Sequence, residues 1–170
     1  MTTERVHIRP GNTADEPEFL AAVERSRGLH HPWVAAPDTP EAFREYFSKQ
    51  QDPRFAAFFI WIKGSRGLVG VVNLSEIVHG AFRSAYLGYY AFAPYAGRGL
   101  MKDGLGQVIT HAFGTMKLHR LEANIQPGNQ PSKALVKALG FRLEGFSPRY
   151  LKINGRWRDH ERWAILSEDW

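Results

Sequence analysis

Residues 89–109 read YYAFAPYAGRGLMKDGLGQVI: a β-forming run, a proline, a turn with two glycines one residue apart, then an apolar-periodic segment with no spacer. Strand, glycine-rich turn and helix in direct succession make a cradle for an anion. Gly97 and Gly99 let the backbone come close to a ligand. The free N–H groups of the helix that opens at Leu100, at the positive end of its dipole, point at whatever lies there. A pyrophosphate suits such a place. The run is not a P-loop, since no Gly-Lys-Ser/Thr follows, nor the dinucleotide pattern G-x-G-x-x-G, because Lys102 stands where the third glycine belongs. On its own, a G-x-G turn ahead of a helix is equally an ordinary strand–helix connection, glycine being a common turn residue.

Outward from this stretch the elements alternate in type. Ala85–Phe92 predicts the strand that leads into the turn, and Phe58–Ile62 and Leu68–Leu74 predict a hairpin around Lys-Gly-Ser-Arg-Gly. Further upstream, Val6–Arg9 predicts a strand stopped by Pro10 and Gly11. Phe19, Leu20 and Val23 at helical spacing predict a helix over Pro17–Arg27 ending at Gly28. Thr39 is an N-cap before Pro40, and Phe43, Tyr46 and Phe47 form the apolar stripe of a second helix running to about Gln51. Downstream, Leu105, Val108, Ile109, Ala112 and Phe113 recur at helical spacing and predict the longest helix, Leu100–Met116. Leu121–Ile125 alternates as a strand, and Pro131–Leu139 predicts a helix closed by Gly140. Phe141–Ile153 and Trp157–Leu166 predict strands joined at Asn154-Gly155. The order implies an α/β (α+β) fold around one sheet, and with no repeat or long linker a single domain spanning 1–170.

Composition narrows the chemistry. A net charge of +5 favours an anionic ligand, but the Lys and Arg residues are scattered, with no block of five, which speaks for a mixed solvated surface rather than a nucleic-acid arm. The absence of cysteine excludes a disulfide framework, thiolate zinc sites and a cysteine nucleophile. The N-terminus lacks a signal-peptide stretch and no long apolar run occurs, so the expectation is a soluble cytoplasmic protein with no membrane partner. His30 and His31 have no third ligand at metal spacing, and no metal is expected.

Residues 89–109 resemble the R/Q-x-x-G-x-G/A motif of the GNAT acetyltransferases. It is followed in register by N-x-x-x-x-x-L-x-x-x-x-G-F, here Asn129, Leu135, Gly140 and Phe141. The C-terminal run EGFSPRYLKINGRWRDHERWAILSEDW is similar to the ribosomal-protein-alanine N-acetyltransferase branch, with its EG…YL…G.W.DH…DW pattern. The resemblance is good over about residues 68–170 and holds in outline before that. It implies a single mixed, mostly antiparallel sheet flanked by helices on both faces, with splayed central strands, and acetyl-CoA as co-substrate. Tyr90, Ala91 and Phe92 take the positions where strand backbone pairs with the pantetheine arm. Gly97, Arg98, Gly99, Leu100, Met101 and Lys102 match the pyrophosphate loop, whose backbone amides do the binding. Ala96 replaces the usual Arg or Gln and Met101 the usual small residue, which leaves the amide cradle intact.

Acetyl transfer to an amine requires the amine neutral, an oxyanion stabilised and a proton for the departing thiolate. By the resemblance, Asn129 orients the thioester or pantetheine; it equally reads as a helix N-cap. Ser132 matches the serine proposed as proton donor in the alanine-acetylating branch, and equally reads as a helix-surface hydroxyl. Val136 stands where a tyrosine acid is usual. Strand alternation puts Glu122, Asn124 and Gln126 on one face, making Glu122 a candidate base, or a salt-bridged strand residue. His30, His31 and Trp33 fall in the region that lies near the acceptor entrance in this family. Asp159 and His160 read as structural strand neighbours, and Tyr86, Tyr89, Tyr90, Trp157 and Trp163 as sheet packing, with one lining the acceptor cleft.

The expected reaction is direct attack of a primary amine on acetyl-CoA in a ternary complex. The resemblance points to a protein N-terminus, of ribosomal-protein type, as acceptor. Rival readings are a small-amine acyltransferase, for which an acidic cleft would indicate polyamines and an arginine-lined one a succinyl donor, and a ribosome- or RNA-binding module. A monomer or homodimer is expected.

Overall fold

Seven strands form one sheet in the computed structural model, which describes residues 4–170. In chain order they are β1 (Val6–Pro10), β2 (Ala56–Ile62), β3 (Leu68–Val78), β4 (Ser84–Ala91), β5 (Arg120–Ile125), β6 (Arg142–Ile153) and β7 (Arg156–Leu166). Their spatial order is β1-β2-β3-β4-β5-β7-β6, and every neighbouring pair is antiparallel except β4 with β5. The parallel pair is joined by a crossover helix, as parallel neighbours must be. The helices are α1 (Glu16–Arg25), the single turn α2 (Arg27–His30), α3 (Pro40–Ser48), α4 (Leu100–Gly114) and α5 (Gln130–Ala138). The mixed, mostly antiparallel sheet with helices on both faces is thus the one the resemblance implied.

Local chemistry accounts for most boundaries. Thr39 Oγ1 accepts the Ala42 N–H at 3.1 Å and Pro40 opens α3, so the cap lies where the sequence puts it. The first helix differs from expectation. Gly28 does not close it; Ser26 does, and Gly28 falls inside α2. Ser26 is buried and its hydroxyl accepts the Ala93 N–H at 2.9 Å, which ties the break between α1 and α2 to the end of β4. β3 runs on past Leu74 to Val78, with a register shift after Ser75 where Glu76 has φ 49°.

One face of the sheet packs on α4 and α5, where Ile60, Val72 and Leu87 meet Leu105, Val108 and Val136. The other packs on α1 and α3 and is largely aromatic. Phe19 lies 5.0 Å from Phe43 and 5.6 Å from Phe59, centroid to centroid, within the range of favourable ring pairs. Glycine sets the height of α4 above the sheet: a Cβ on Gly104 would come 2.5 Å from the Ile60 side chain.

The site follows from one irregularity. β4 and β5 pair only from Ser84–Arg120 to Tyr86–Glu122. Beyond that point β4 stays with β3 through Ala91, while β5 stays with β7 through Ile125. The sheet therefore opens into a V between its two central strands.

Candidate active site

The alternation of an antiparallel ladder decides which backbone groups face the V. The Phe92 N–H donates to the Val69 C=O at 2.8 Å, so Phe92 and Tyr90 turn their amides toward β3. Tyr89 and Ala91 consequently turn theirs toward the opening. Of the expected trio Tyr90, Ala91 and Phe92, only Ala91 offers its backbone to the cleft, and Tyr89 joins it. The Tyr90 and Phe92 side chains are buried.

The Ala91 carbonyl already has a partner. His30 is buried, its Nε2 lies 2.8 Å from the Ala91 oxygen, and its ring packs on Tyr90 and Phe92. Burial pushes its pKa down, opposed by the weaker effect of the Ala91 carbonyl, so the ring serves as a neutral donor. His30, expected near the acceptor entrance, thus braces the end of β4. Trp33 and Val34 line the cleft beside it.

The turn after β4 has the conformation that its glycines allow. Gly97 and Gly99 have φ of 75° and 76°, a region costly to any residue with a Cβ. Gly99 is the N-cap of α4 and offers no side-chain cap, so the first-turn amides keep their donors for a ligand. Arg98 and Lys102 are exposed at this end. The Leu100 and Met101 side chains are not: both are buried in the core. Arg5, which the motif could not include, braces the turn. Its Nη1 donates to the Arg98 C=O at 3.2 Å and its Nε to Asp103 at 2.8 Å.

Across the V, Asn129 caps α5, its Oδ1 accepting the Ser132 N–H at 3.3 Å. The helix is held to β7 by Lys133, whose Nζ donates to Glu161 at 3.1 Å and to the Pro127 C=O at 3.0 Å. Ser132 Oγ then lies 2.7 Å from the Tyr89 hydroxyl. Val136, where a tyrosine acid is usual, is fully buried beneath α5; the phenol reaches the cleft from β4 instead. Tyr89 packs against the core, as expected, and also lines the cleft; no local signal singles it out from the other aromatics, since its partner lies 43 residues further on.

The cleft has two lobes. One, of about 420 Å³, includes Gly97, Gly99, Met101 and Lys102 in its lining. The other, of about 440 Å³, is lined by Asn73, Asn124, Gln126, Asn154, Lys152 and His160 among others. They share Trp33, Val34, Tyr89, Tyr90, Asn129 and Ser132, so the Ser132–Tyr89 pair sits where they meet. Glu122 lines neither lobe. It bonds to Arg120 at 3.2 Å, and Arg120 in turn bonds to Glu144 at 3.0 Å. The structure therefore does not bring the candidate base to the reacting region, and its carboxylate is engaged by a guanidinium that two acids share.

Three phenols around the cleft are held protonated. Burial raises Tyr89 to about 12 against the weaker opposing effect of its bond to Ser132, and it raises Tyr46 and Tyr90 as well. A folded-state pKa above the unfolded value of 10.0 contributes stability that is complete below pH 10 and is lost as pH rises through the folded value. The urea midpoint is expected to be flat between about pH 8 and about pH 9.5 and then to fall steeply toward pH 12. A midpoint independent of pH across that window would show these hydroxyls reaching water.

Residues 5–142 match a family model described as an acetyltransferase (GNAT) domain. Along its full length the chain is 31% identical to the ribosomal protein uS5-alanine N-acetyltransferase of Escherichia coli (strain K12), with 92% of that protein covered. Mycobacterium smegmatis RimJ in complex with CoA-disulfide superposes with a TM-score of 0.87 at 30% identity, over 96% of this chain and 82% of that one. The Vibrio cholerae spermidine N-acetyltransferase in complex with CoA and spermine shares the fold, with a TM-score of 0.83 at 21% identity over 98% of each chain. A family match over most of the chain, joined to a splayed parallel pair and a glycine turn at the head of α4, leads to one assignment: the chain belongs to the GNAT acetyltransferases.

Proposed function

We propose that the chain transfers the acetyl group of acetyl-CoA to the α-amino group at the N-terminus of a protein, of the ribosomal-protein type. One observation carries this choice of acceptor. Among the described residues, the lining of the two lobes includes no Asp or Glu. A polyamine is a string of ammonium groups, and a cleft that selects it needs carboxylates to replace their hydration. A peptide N-terminus instead brings one amine followed by amide groups, which neutral donors and acceptors can read. The acceptor lobe offers Asn73, Asn124, Asn154 and Gln126 for that purpose. Asn124 Oδ1 is buried with no protein partner among the described residues, an acceptor that suits an ammonium or peptide N–H. Arginine, which would favour a carboxylate-bearing acyl donor, is likewise absent from both linings.

In this reading the first lobe takes the CoA arm, with the pyrophosphate on the amides of Gly97–Lys102 and the pantetheine along Tyr89 and Ala91. The neutral amine attacks the thioester carbon, a C–N bond forms, and the C–S bond breaks with its electron pair going to sulfur. Ser132 gives its proton to that thiolate and is resupplied by Tyr89. A phenol held at about 12 is a far better acid than an aliphatic hydroxyl, so the pair donates more readily than serine alone. The Tyr89 proton is restored from solvent as product leaves.

The test is direct competition. With acetyl-CoA, an alanine-terminated peptide is expected to be acetylated at its α-amine with kcat/KM at least about tenfold above that for spermidine, read by mass spectrometry. Preference for spermidine, or for an internal lysine of an N-terminally blocked peptide, would overturn the acceptor assignment. Acetyl-CoA and CoA should each raise the Tm. Absence of any rise would favour the RNA-binding alternative.

A further inference from the structure

We infer that His160 is the general base that takes the proton from the acceptor's ammonium group. The inference rests on the reading of the second lobe as the acceptor side. Elimination leads to it. The titratable groups lining the two lobes are His30, Tyr89, Tyr90, Lys102, Lys152 and His160. His30 is committed to the Ala91 carbonyl. The two lysines are donors, an ammonium group having no lone pair with which to accept a proton. The two tyrosines are kept protonated by burial. Both nearby glutamates are spent elsewhere, Glu122 on Arg120 and Glu161 on Lys133 and the Trp163 indole N–H. Histidine remains, and it is the side chain whose charge ordinarily changes in the physiological range.

Its tautomer suits the role. His160 Nδ1 lies 2.9 Å from the Arg158 C=O, and a carbonyl can only accept, so Nδ1 carries the hydrogen. In the neutral ring Nε2 is then a bare acceptor, and no protein group bonds it among the described residues. The ring is 2% exposed and packs 6.3 Å from Tyr150, so its orientation is held. Antiparallel register places it beyond the Asn124–Arg162 pair on the same face of the sheet. Asn124 and His160 thus line one lobe, one to orient the ammonium and one to deprotonate it. The charged and titratable groups on this side are Tyr150 and Lys152 from β6, Arg162 from β7 and Glu122 from β5.

The step balances. One ammonium proton passes to Nε2, directly or through one water, and from there to solvent. The amine attacks, and as the tetrahedral species collapses the second N–H proton passes to Nε2, by then emptied to solvent, while Ser132 protonates the thiolate and regains its proton from solvent through Tyr89. The net reaction converts R–NH3⁺ and acetyl-CoA to the acetamide, CoA and one proton.

His160→Asn tests the idea, because the asparagine NH2 can still donate to the Arg158 carbonyl. The variant should lose about a hundredfold in kcat/KM for the peptide, and the acid limb of its pH profile should disappear, while the Tm rise with acetyl-CoA stays unchanged. Retention of the rate and the acid limb would overturn the assignment and leave the proposed function standing. A wild type inactive on every α-amine would overturn the proposed function instead. The base is read separately by long-range 1H–15N NMR of the wild-type imidazoles, independent of any acceptor and of how the variant folds. A His160 ring neutral and protonated at Nδ1 is the expected result, and one protonated at Nε2 in its neutral form would overturn the inference.

Discussion

Ser132→Ala is expected to lower kcat about a hundredfold and to leave the KM for acetyl-CoA within about a factor of two, since a group that acts on the leaving thiolate matters chiefly in the transition state. The fold should be untouched. The Ser132 N–H stays capped by Asn129 whatever the side chain, and alanine is the better helix former. Tyr89→Phe removes only the hydroxyl that lies 2.7 Å from Ser132 Oγ, and is expected to cost about tenfold, the difference between a serine resupplied by a phenol and one resupplied by water. The decisive number is the double variant. If the two hydroxyls form one relay, Ser132→Ala with Tyr89→Phe loses no more than Ser132→Ala alone, because a relay broken at its first member has nothing left to lose at its second. Full additivity would mean that Tyr89 acts independently of Ser132. Loss of acetyl-CoA affinity in either variant, with kcat kept, would assign the pair to binding instead.

Gly70→Val carries the largest expected cost in stability. Judged by propensity, valine in a strand should help, by up to about 1 kcal/mol. Sterics oppose this and win. A Cβ at Gly70 would meet the Met101 Sδ at 2.6 Å, the Tyr90 carbonyl at 2.7 Å and the Ala91 Cα at 3.3 Å. The methionine end can swing away, but the two backbone atoms cannot move without parting β3 from β4. Overpacking against fixed backbone costs about 3 kcal/mol, which for a chain of this length lowers the Tm by roughly 6–12 °C. The strain also falls on Met101 in the first turn of α4 and on the strand end that feeds the V, so affinity for acetyl-CoA should drop with stability. Gly88→Ala, on the same strand pair, is the control: a Cβ there meets nothing within 4 Å, and its Tm should change little. A Gly70→Val protein as stable as the wild type would mean that β3 and β4 can part here without cost.

Both predictions concern contacts between residues far apart in the chain, and that separation marks what could be read from sequence. The turn at 97–99 was legible because a glycine at positive φ next to a helix start is decided within a few residues, by dihedral preference and by amides that have no partner further back in the chain. The Thr39 cap, the long α4 and the hairpin at Asn154-Gly155 were legible for the same local reason. Asn129 and Ser132 lie three residues apart, so the cap between them follows from helix geometry.

What depends on strand order was not legible. Whether Tyr89 packs the core or meets Ser132 is decided by β4 lying beside β5 and by α5 crossing back over the gap. His30 becomes a support for Ala91, 61 residues away, only because α2 folds onto the end of β4. For Glu122 alternation left two readings open, base or salt-bridged strand residue, and the choice fell to Arg120, two residues away, whose guanidinium is shared with Glu144 from another strand. The carboxylate-free lining, on which the choice of acceptor rests, is a property of the assembled cleft and of no single segment. By itself the sequence determined the elements, the glycine turn and the family, since these rest on short-range torsional preference, apolar period and motif spacing. Which groups are left with an unspent proton or lone pair at the reacting region was decided only by the tertiary structure, because hydrogen bonds and ion pairs between distant segments form only once the sheet is assembled.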